Sequence, residues 1–537
     1  MIGDVADSER AWARGVTALC AGFVALGFAA RVAPLFDQGG RLLQMFPTEH
    51  AYLMLTISRN LALGNGMSIS DGTIPSNGVQ PLATLLWAGC FWLVEGVKRT
   101  GVALVLAFEI LLSAAAALGL ERLARIAFAG SRRPALAASL AASVWWASPV
   151  TIPHSMNCLE TQVYVASVVL AALLFLAPGT EKAWPLRRQL GFGAALGLCF
   201  LARSDAVFLI LGACLVHLFR PVEGRRRALS RRLAETLVFV AVSVAVAAPW
   251  LVFNYLGFGS IVPLSGRSEA MGALAQSPGR VPAALVELAL LVLPIPRRFQ
   301  DLGPVVAVAA LACAAGAVAA VLAFRSADAR RRALIALAAF LTLSLSAFYG
   351  LCSSAGESME RYLHPASPFL ALPWAWGALA LGERLSANRL TWLAHAGAAG
   401  VLALAVAGSV DAYRGGNAHV HFQVVRWVDA NVPEDVWVGA GQTGTLGFFH
   451  DRTLSFDGTV SPEALEARKR GELASYIVKK RVPYIADWVG AIDFMREPAI
   501  RARYEVLVND PERNLAVLRL RRAPRAEPES GQTDTPE

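Results

Sequence analysis

From about Val16 to Val410 the chain is a succession of apolar runs of roughly 15 to 23 residues, separated by short hydrophilic stretches. Helices of that length cross or nearly cross a ~30 Å hydrocarbon core, where every backbone polar group needs an internal partner. The runs begin near Val16, Pro81, Val102, Pro134, Thr161, Gln189, Ala206, Ala234, Val281, Gly303, Ala333, Pro365 and Thr391. They predict a mainly α, polytopic transmembrane fold of eleven to thirteen segments. Composition agrees, since 55% of residues are hydrophobic and only 17% charged, below the roughly 25% charged fraction of soluble domains.

The formal charge of +9 does not indicate a nucleic-acid partner. Much of it lies in short loops (Arg132-Arg133, Arg187-Arg188, Arg225 to Arg227, Arg231-Arg232, Arg330 to Arg332) with no interleaved aromatic stripe. That is the positive-inside pattern of a cell-membrane protein. The arginine loops share one side if the short runs Pro81 to Val97 and Val281 to Pro296 re-enter rather than span. Either count is odd, so a cytoplasmic N-terminus places everything after Asp411 outside the cytoplasm. The loops around Glu49, Asn157, Ser204, Ser265 and Arg361 then share that outer side. Seven cysteines, all in or beside apolar runs and without zinc-type spacing, read as small packing residues. The first run is longer than a signal-peptide core and reads as an uncleaved anchor.

Three regions follow from the pattern: a membrane region over 1–410 with an amphipathic first outer loop at 36–80, an α/β domain over 411–521, and a polar tail over 522–537 expected to be disordered. Within the second, periodicity predicts helices at Phe422 to Ala430 and Pro462 to Lys480. Strands are predicted at Val436 to Val438, Tyr484 to Asp487, Tyr504 to Val508 and Leu515 to Leu520.

In the first outer loop Thr48 is a suitable N-cap, and Glu49 to Leu63 reads as one helix stopped by Gly64-Asn65-Gly66. Glu49, Tyr52, Thr56, Arg59 and Asn60 share one face, and Met54, Ile57 and Leu61 the other. Such a helix is expected at the membrane interface, its polar face turned to a cavity or to water.

Motifs in chain order add to this. The first loop carries Ser58-Arg59-Asn60-Leu61-Ala62 followed by Gly64 and Gly66, then Ser76-Asn77-Gly78 with Gln80-Pro81-Leu82. Later come Asn157-Cys158-Leu159-Glu160-Thr161, Leu201-Ala202-Arg203-Ser204-Asp205, the stretch from Trp250 to Gly266, and Arg361-Tyr362-Leu363 with Pro365. Together, up to about Asp457, they resemble the motifs of the GT-C membrane glycosyltransferases, which use polyprenyl-phosphate sugars. The resemblance implies a sugar-transferring membrane enzyme with a lipid-linked donor and a glycan, lipid or protein acceptor in the cell envelope. His50 stands where the family more often has a second acid. One carboxylate and one imidazole make a poor Mg²⁺ or Mn²⁺ site, so no metal ligand is assigned.

Transfer from a lipid phosphate needs a base for the acceptor hydroxyl and donors to hold the departing phosphate. Glu49, with His50 beside it, suits the first role; at a helix N-terminus its pKa is expected to be lowered. Arg361 suits the second as a bidentate clamp, with Tyr362 and His364 as further donors and Arg59 and Arg267 as additional cations. Tyr52, Asn77, Gln80, Asn157 and Glu160 are candidate substrate contacts, Glu160 for a sugar hydroxyl. Arg203 and Asp205 read as a structural ion pair.

The stretch Gly439-Ala440-Gly441-Gln442-Thr443-Gly444 imitates a dinucleotide fingerprint, but Asp451-Arg452 interrupts the following helix too early for the roughly 30-residue unit that the fingerprint requires. Two other functions compete: a transporter or flippase of lipid-linked glycans, and a non-catalytic glycan-binding protein of the same fold. Transporters favour intramembrane charges and internal repeats. Here the polar residues singled out cluster at segment ends.

Overall fold

The computed structural model describes residues 2–37, 40–177, 183–219, 225–273, 280–292, 295, 299–300, 302–352, 359–388, 390–416 and 420–521. The tail over 522–537 lies outside them. Every apolar run singled out above holds a helix. In order these are Ile2–Val32, Pro81–Trp92, Lys98–Ala127, Pro134–Ala147, Thr161–Phe175, Leu186–Ala202, Val207–Phe219, Arg225–Phe258, Arg280–Leu290, Gly303–Ser326, Ala329–Cys352, Ser367–Ala387 and Thr391–Gly415.

Among the described residues, six helical stretches have the length and composition to cross a membrane: Arg10–Phe36, Lys98–Ala127, Leu229–Phe258, Gly303–Ser326, Ala329–Leu351 and Thr391–Gly415. Pro81–Trp92 has 12 residues, about 18 Å of helix, well short of the hydrocarbon thickness. Pro134–Ala147 and Thr161–Phe175, read above as ordinary spans, are also short, at 14 and 15 residues.

The first outer loop starts as its sequence dictates. Thr48 caps helix Glu49–Ala62, its hydroxyl accepting from Ala51 N–H at 3.1 Å. A two-stranded hairpin, β1 (Ser68–Ile69) and β2 (Ile74–Pro75), follows. Asn60 donates from its amide to the carbonyls of Ser68 and Ser70, tying hairpin to helix.

The C-terminal part builds a five-stranded sheet from β3 (Val438–Ala440), β4 (Thr453–Ser455), β5 (Tyr484–Asp487), β6 (Tyr504–Asp510) and β7 (Leu515–Leu520), in the order β4-β3-β5-β7-β6. β3 runs parallel to β4 and β5, and β7 antiparallel to β5 and β6. β5 and β7 lie where the pattern places them. β3 starts two residues later than expected, and β4 was missed because three residues carry no readable alternation. The helix expected over Pro462 to Lys480 is two helices, Pro462–Lys469 and Leu473–Lys480, broken at Gly471, whose φ of +70° suits glycine.

This sheet unit sits on the loop that carries helix Glu49–Ala62. Helix Gly444–Phe449 packs on helix Glu49–Ala62 so closely that a Cβ on Gly444 would lie 1.8 Å from the Glu49 carbonyl oxygen. A Cβ on Gly78 would lie 2.2 Å from the Thr459 carbonyl oxygen. Both glycines are needed for backbone approach rather than for a turn. Tyr52 fills the seam, its ring centroid 5.1 Å from that of Phe448 and 5.7 Å from that of Phe449. Lys98 Nζ donates to Phe449 O and Asp451 Oδ1 at 3.1 and 3.0 Å.

The helix Glu49–Ala62 is therefore no interfacial helix with an open polar face. Residues 51–58 are all buried, and the polar face is covered by the sheet unit. Periodicity identified two faces, but nothing in it showed that a segment nearly four hundred residues later would cover one of them.

Candidate functional site

The first turn of helix Glu49–Ala62 sends adjacent side chains in different directions. Glu49 is buried, and its carboxylate accepts from the Thr445 N–H at 3.1 Å and from the Thr445 hydroxyl. Burial raises its pKa to about 7 despite these bonds. The expected lowering by the helix dipole is overturned, because desolvation outweighs the favourable end of a short helix. Asp487, at the end of β5, shares the region: it accepts from the N–H groups of Gly441, Gln442 and Trp488, and burial raises its pKa to about 7 as well. The glycine-rich stretch thus wraps a carboxylate of its own chain.

His50 is exposed, in contrast to Glu49. The protein around it and the charge of Arg361 both lower its pKa, so the ring is a neutral imidazole near pH 7. The structure thereby brings the first turn of this helix into the field of Arg361.

Arg361, on the short helix Met359–Leu363, belongs to a charged and aromatic group from five parts of the chain. Its Nη2 donates to the Tyr362 hydroxyl at 2.7 Å, which donates to Glu269 Oε1 at 2.9 Å. Among the described residues, Arg361 Nε has no hydrogen-bond partner. Burial opposes its charge, but Tyr362, Glu160 and Glu269 outweigh that and raise its pKa.

Behind it, Arg203 Nη2 binds Asp205 Oδ2 at 2.6 Å and the Tyr349 hydroxyl at 2.8 Å. Arg203 Nη1 reaches the Arg361 carbonyl at 3.3 Å, and Tyr349 stacks on Tyr362 with centroids 4.6 Å apart. The Arg203–Asp205 pair is a buried brace for the Arg361 turn. Glu160 is buried, with its charge acting on both arginines.

The other sequence candidates divide. Asn157 is buried and holds its own loop, its amide donating to the Thr161 hydroxyl and its oxygen accepting from Leu159 N–H. His364 is fully buried, its ring stacked on Trp145. Tyr52 gives its hydroxyl to Leu43 O at 2.6 Å. Asn77 bridges Asn254 and the Leu264 N–H. Gln80 precedes helix Pro81–Trp92 and is half-buried. Arg59 binds Gly96 O and Asp451, and Arg267 binds Glu466, so both cations are engaged outside the Arg361 group.

Four residues of this region were not singled out as site residues in the sequence. Thr445, Tyr349 and Glu269 carry no local signal, being ordinary residues whose importance comes from distant partners. Glu109 had one: it is an acid inside the apolar helix Lys98–Ala127. It is fully buried, and its carboxylate accepts the N–H of Cys158, whose φ of +56° bends the loop carrying Glu160.

Among the described residues, no three His, Cys, Asp or Glu side chains converge to hold a metal ion.

A profile for a domain of unknown function, DUF8728, matches residues 409–526. No curated protein matches the chain. Solved structures do. ArnT from Cupriavidus metallidurans, bound to undecaprenyl phosphate, superposes with a TM-score of 0.57 at 14% identity, covering 92% of this chain and 97% of that one. The Archaeoglobus fulgidus oligosaccharyltransferase in complex with Zn and sulfate gives 0.57 at 14% identity, over 91% of this chain and 71% of that one. AglB from the same organism, with an inhibitory peptide and a dolichol-phosphate, gives 0.55 at 13% identity, over 93% and 74%. With six helices of spanning length among the described residues and these neighbours, the chain is a multi-pass membrane protein with the fold of the GT-C membrane glycosyltransferases.

Proposed function

We propose that the protein transfers a sugar from a polyprenyl-phosphate donor to a cell-envelope acceptor, with the first outer loop, the Arg361 group and the sheet unit all on the extracytoplasmic face of the inner or plasma membrane. The observation that carries this reading is Arg361: a half-buried residue set among Glu160, Tyr362 and Glu269, with its Nε–H unpartnered among the described residues, close enough for its charge to act on the first turn of helix Glu49–Ala62. A phosphate monoanion would supply the missing acceptor. Neighbours of the same fold bind undecaprenyl phosphate and dolichol-phosphate.

In the proposed reaction the acceptor oxygen attacks the anomeric carbon as the bond to the phosphate oxygen breaks, inverting that carbon. The polyprenyl phosphate leaves with the electron pair, and Arg361 with Tyr362 stabilises its charge. Glu49 takes the acceptor proton. A carboxylate offers about four acceptor positions, of which Thr445 uses two, and a pKa of about 7 matches a general base working at neutral pH. His50, a neutral imidazole, orients the acceptor hydroxyl. Glu160 holds a sugar hydroxyl. No step is routed through a metal ion.

The test is transfer by the purified protein in nanodiscs, offered a panel of polyprenyl-phosphate sugars and envelope acceptors. Glu49→Gln should lower turnover by about 10²- to 10⁴-fold while donor binding persists. Arg361→Ala should weaken donor binding first. Retention of both activities in both variants on a substrate the wild type uses would refute the assignment.

A further inference from the structure

Helices Pro462–Lys469 and Leu473–Lys480 do not close fully onto the rest of the chain. Between them, β2 and the stretch from Gly257 to Arg267 lies a cavity of about 500 Å³, within the roughly 300–1,000 Å³ of small-molecule sites. Its floor is apolar, from Ile74, Leu264 and Leu454, and Phe258 and Tyr476 contribute aromatic rings.

The rim is charged, but its charges are paired. Arg267 Nη2 binds Glu466 Oε1 at 2.9 Å, and Lys480 Nζ binds Glu463 Oε2 at 2.5 Å. Within the lining two cations face two carboxylates, and Lys469 Nζ shares Glu466 Oε1 at 2.9 Å from outside it, so the rim carries little net charge and only a weak field for selecting an anion or a cation. Each pair nevertheless offers N–H donors beside carboxylate acceptors at fixed spacing. Donors and acceptors in equal supply, beside aromatic rings, complement a molecule with hydroxyls around its edge and C–H groups on its faces. We propose that this cleft binds a neutral oligosaccharide.

Its position gives that binding a purpose. Helix Leu264–Ala273 connects the cleft to the Arg361 group: Arg267 lines the cleft, while Glu269, two residues on, accepts from the Tyr362 hydroxyl that receives Arg361. A saccharide chain lying in the cleft is the acceptor, its end directed along this helix toward the donor phosphate. That role rests on the transferase reading above; the binding of a neutral saccharide does not.

The test uses the full-length protein in nanodiscs and saturation-transfer NMR with maltotriose, mannotriose and cellotriose, plus trigalacturonate as the anionic comparison. At least one neutral trisaccharide should bind more tightly than trigalacturonate. Gly257→Trp fills the cleft from its edge, where a Cβ meets nothing within 4 Å, so the fold is retained and affinity should fall by about tenfold or more, or about 1.4 kcal/mol. Tyr476→Ala should weaken binding from the opposite wall. The proposal is overturned if no neutral trisaccharide binds, if trigalacturonate binds more tightly, or if binding survives both cleft variants. Saccharide binding that depends on Gly257, in a protein that transfers no sugar from any donor, would sink the transferase reading and leave the cleft standing. Transfer that is indifferent to Gly257→Trp would do the converse.

Discussion

Glu49 couples chemistry to the seating of the sheet unit, and the two should respond to pH in opposite directions. Its pKa rises from 4.5 to about 7 on burial against Thr445. At about 1.4 kcal/mol for each tenfold in proton affinity, that is about 3 kcal/mol of preference for the protonated form in the folded state. For an acid whose folded pKa is raised, the stabilisation is fully present below the unfolded value, near 4.5, and is lost as pH rises through about 7. Asp487, moved from 3.8 to about 7, adds a slope of the same sign. Glu49→Gln removes one of the two slopes while keeping an acceptor for the Thr445 N–H. Hydrogen exchange of the amides in helix Gly444–Phe449, corrected for intrinsic pH dependence, reads the local opening. Between pH 5 and 8.5 the wild type should lose about 2–3 kcal/mol more protection than the variant, roughly two orders of magnitude in opening. Over the same range wild-type transfer should rise through about pH 7 as Glu49 ionises. Parallel exchange profiles in the two proteins would refute the burial argument. Normal turnover by Glu49→Gln together with a dead His50→Ala would transfer the role of base to the imidazole.

Other outcomes follow from the packing. Gly444→Val places side-chain carbon against the Glu49 carbonyl, where even a Cβ would sit at 1.8 Å; limited proteolysis should cut the sheet unit free of the first loop far faster than in the wild type. Arg203→Gln leaves Asp205 a buried carboxylate without its ion-pair partner, which typically costs about 3–5 kcal/mol; thermal unfolding in nanodiscs should shift down, and Asp205→Asn combined with it should recover part of the loss.

The membrane architecture was legible because its cause is local. An apolar run of sufficient length must fold into a helix in lipid wherever it lies in the chain, and each run singled out holds one. Capping at Thr48 and the alternation that marks β5 and β7 are equally local, and they too were readable. The order of several weak motifs pointed to the GT-C fold, although the solved structures that superpose share only 13 to 14% of their residues with this chain.

What the sequence alone determined was therefore which segments are helical, where the polar residues gather at segment ends, and which family of folds can hold them. Only the tertiary structure decided how those residues are used. Glu49 and His50 are adjacent in the chain, and no sequence rule says that one is buried against Thr445, 396 positions away, while the other stays exposed in the field of Arg361. Arg59 and Arg267 have the same chemistry as Arg361, yet their partners Asp451 and Glu466 draw them to the sheet unit. The physical reason is common to all four: desolvation and pairing depend on which distant backbone closes over a side chain, and that closure is set by contacts such as Gly444 on Glu49 and Gly78 on Thr459, which exist only once the chain has folded.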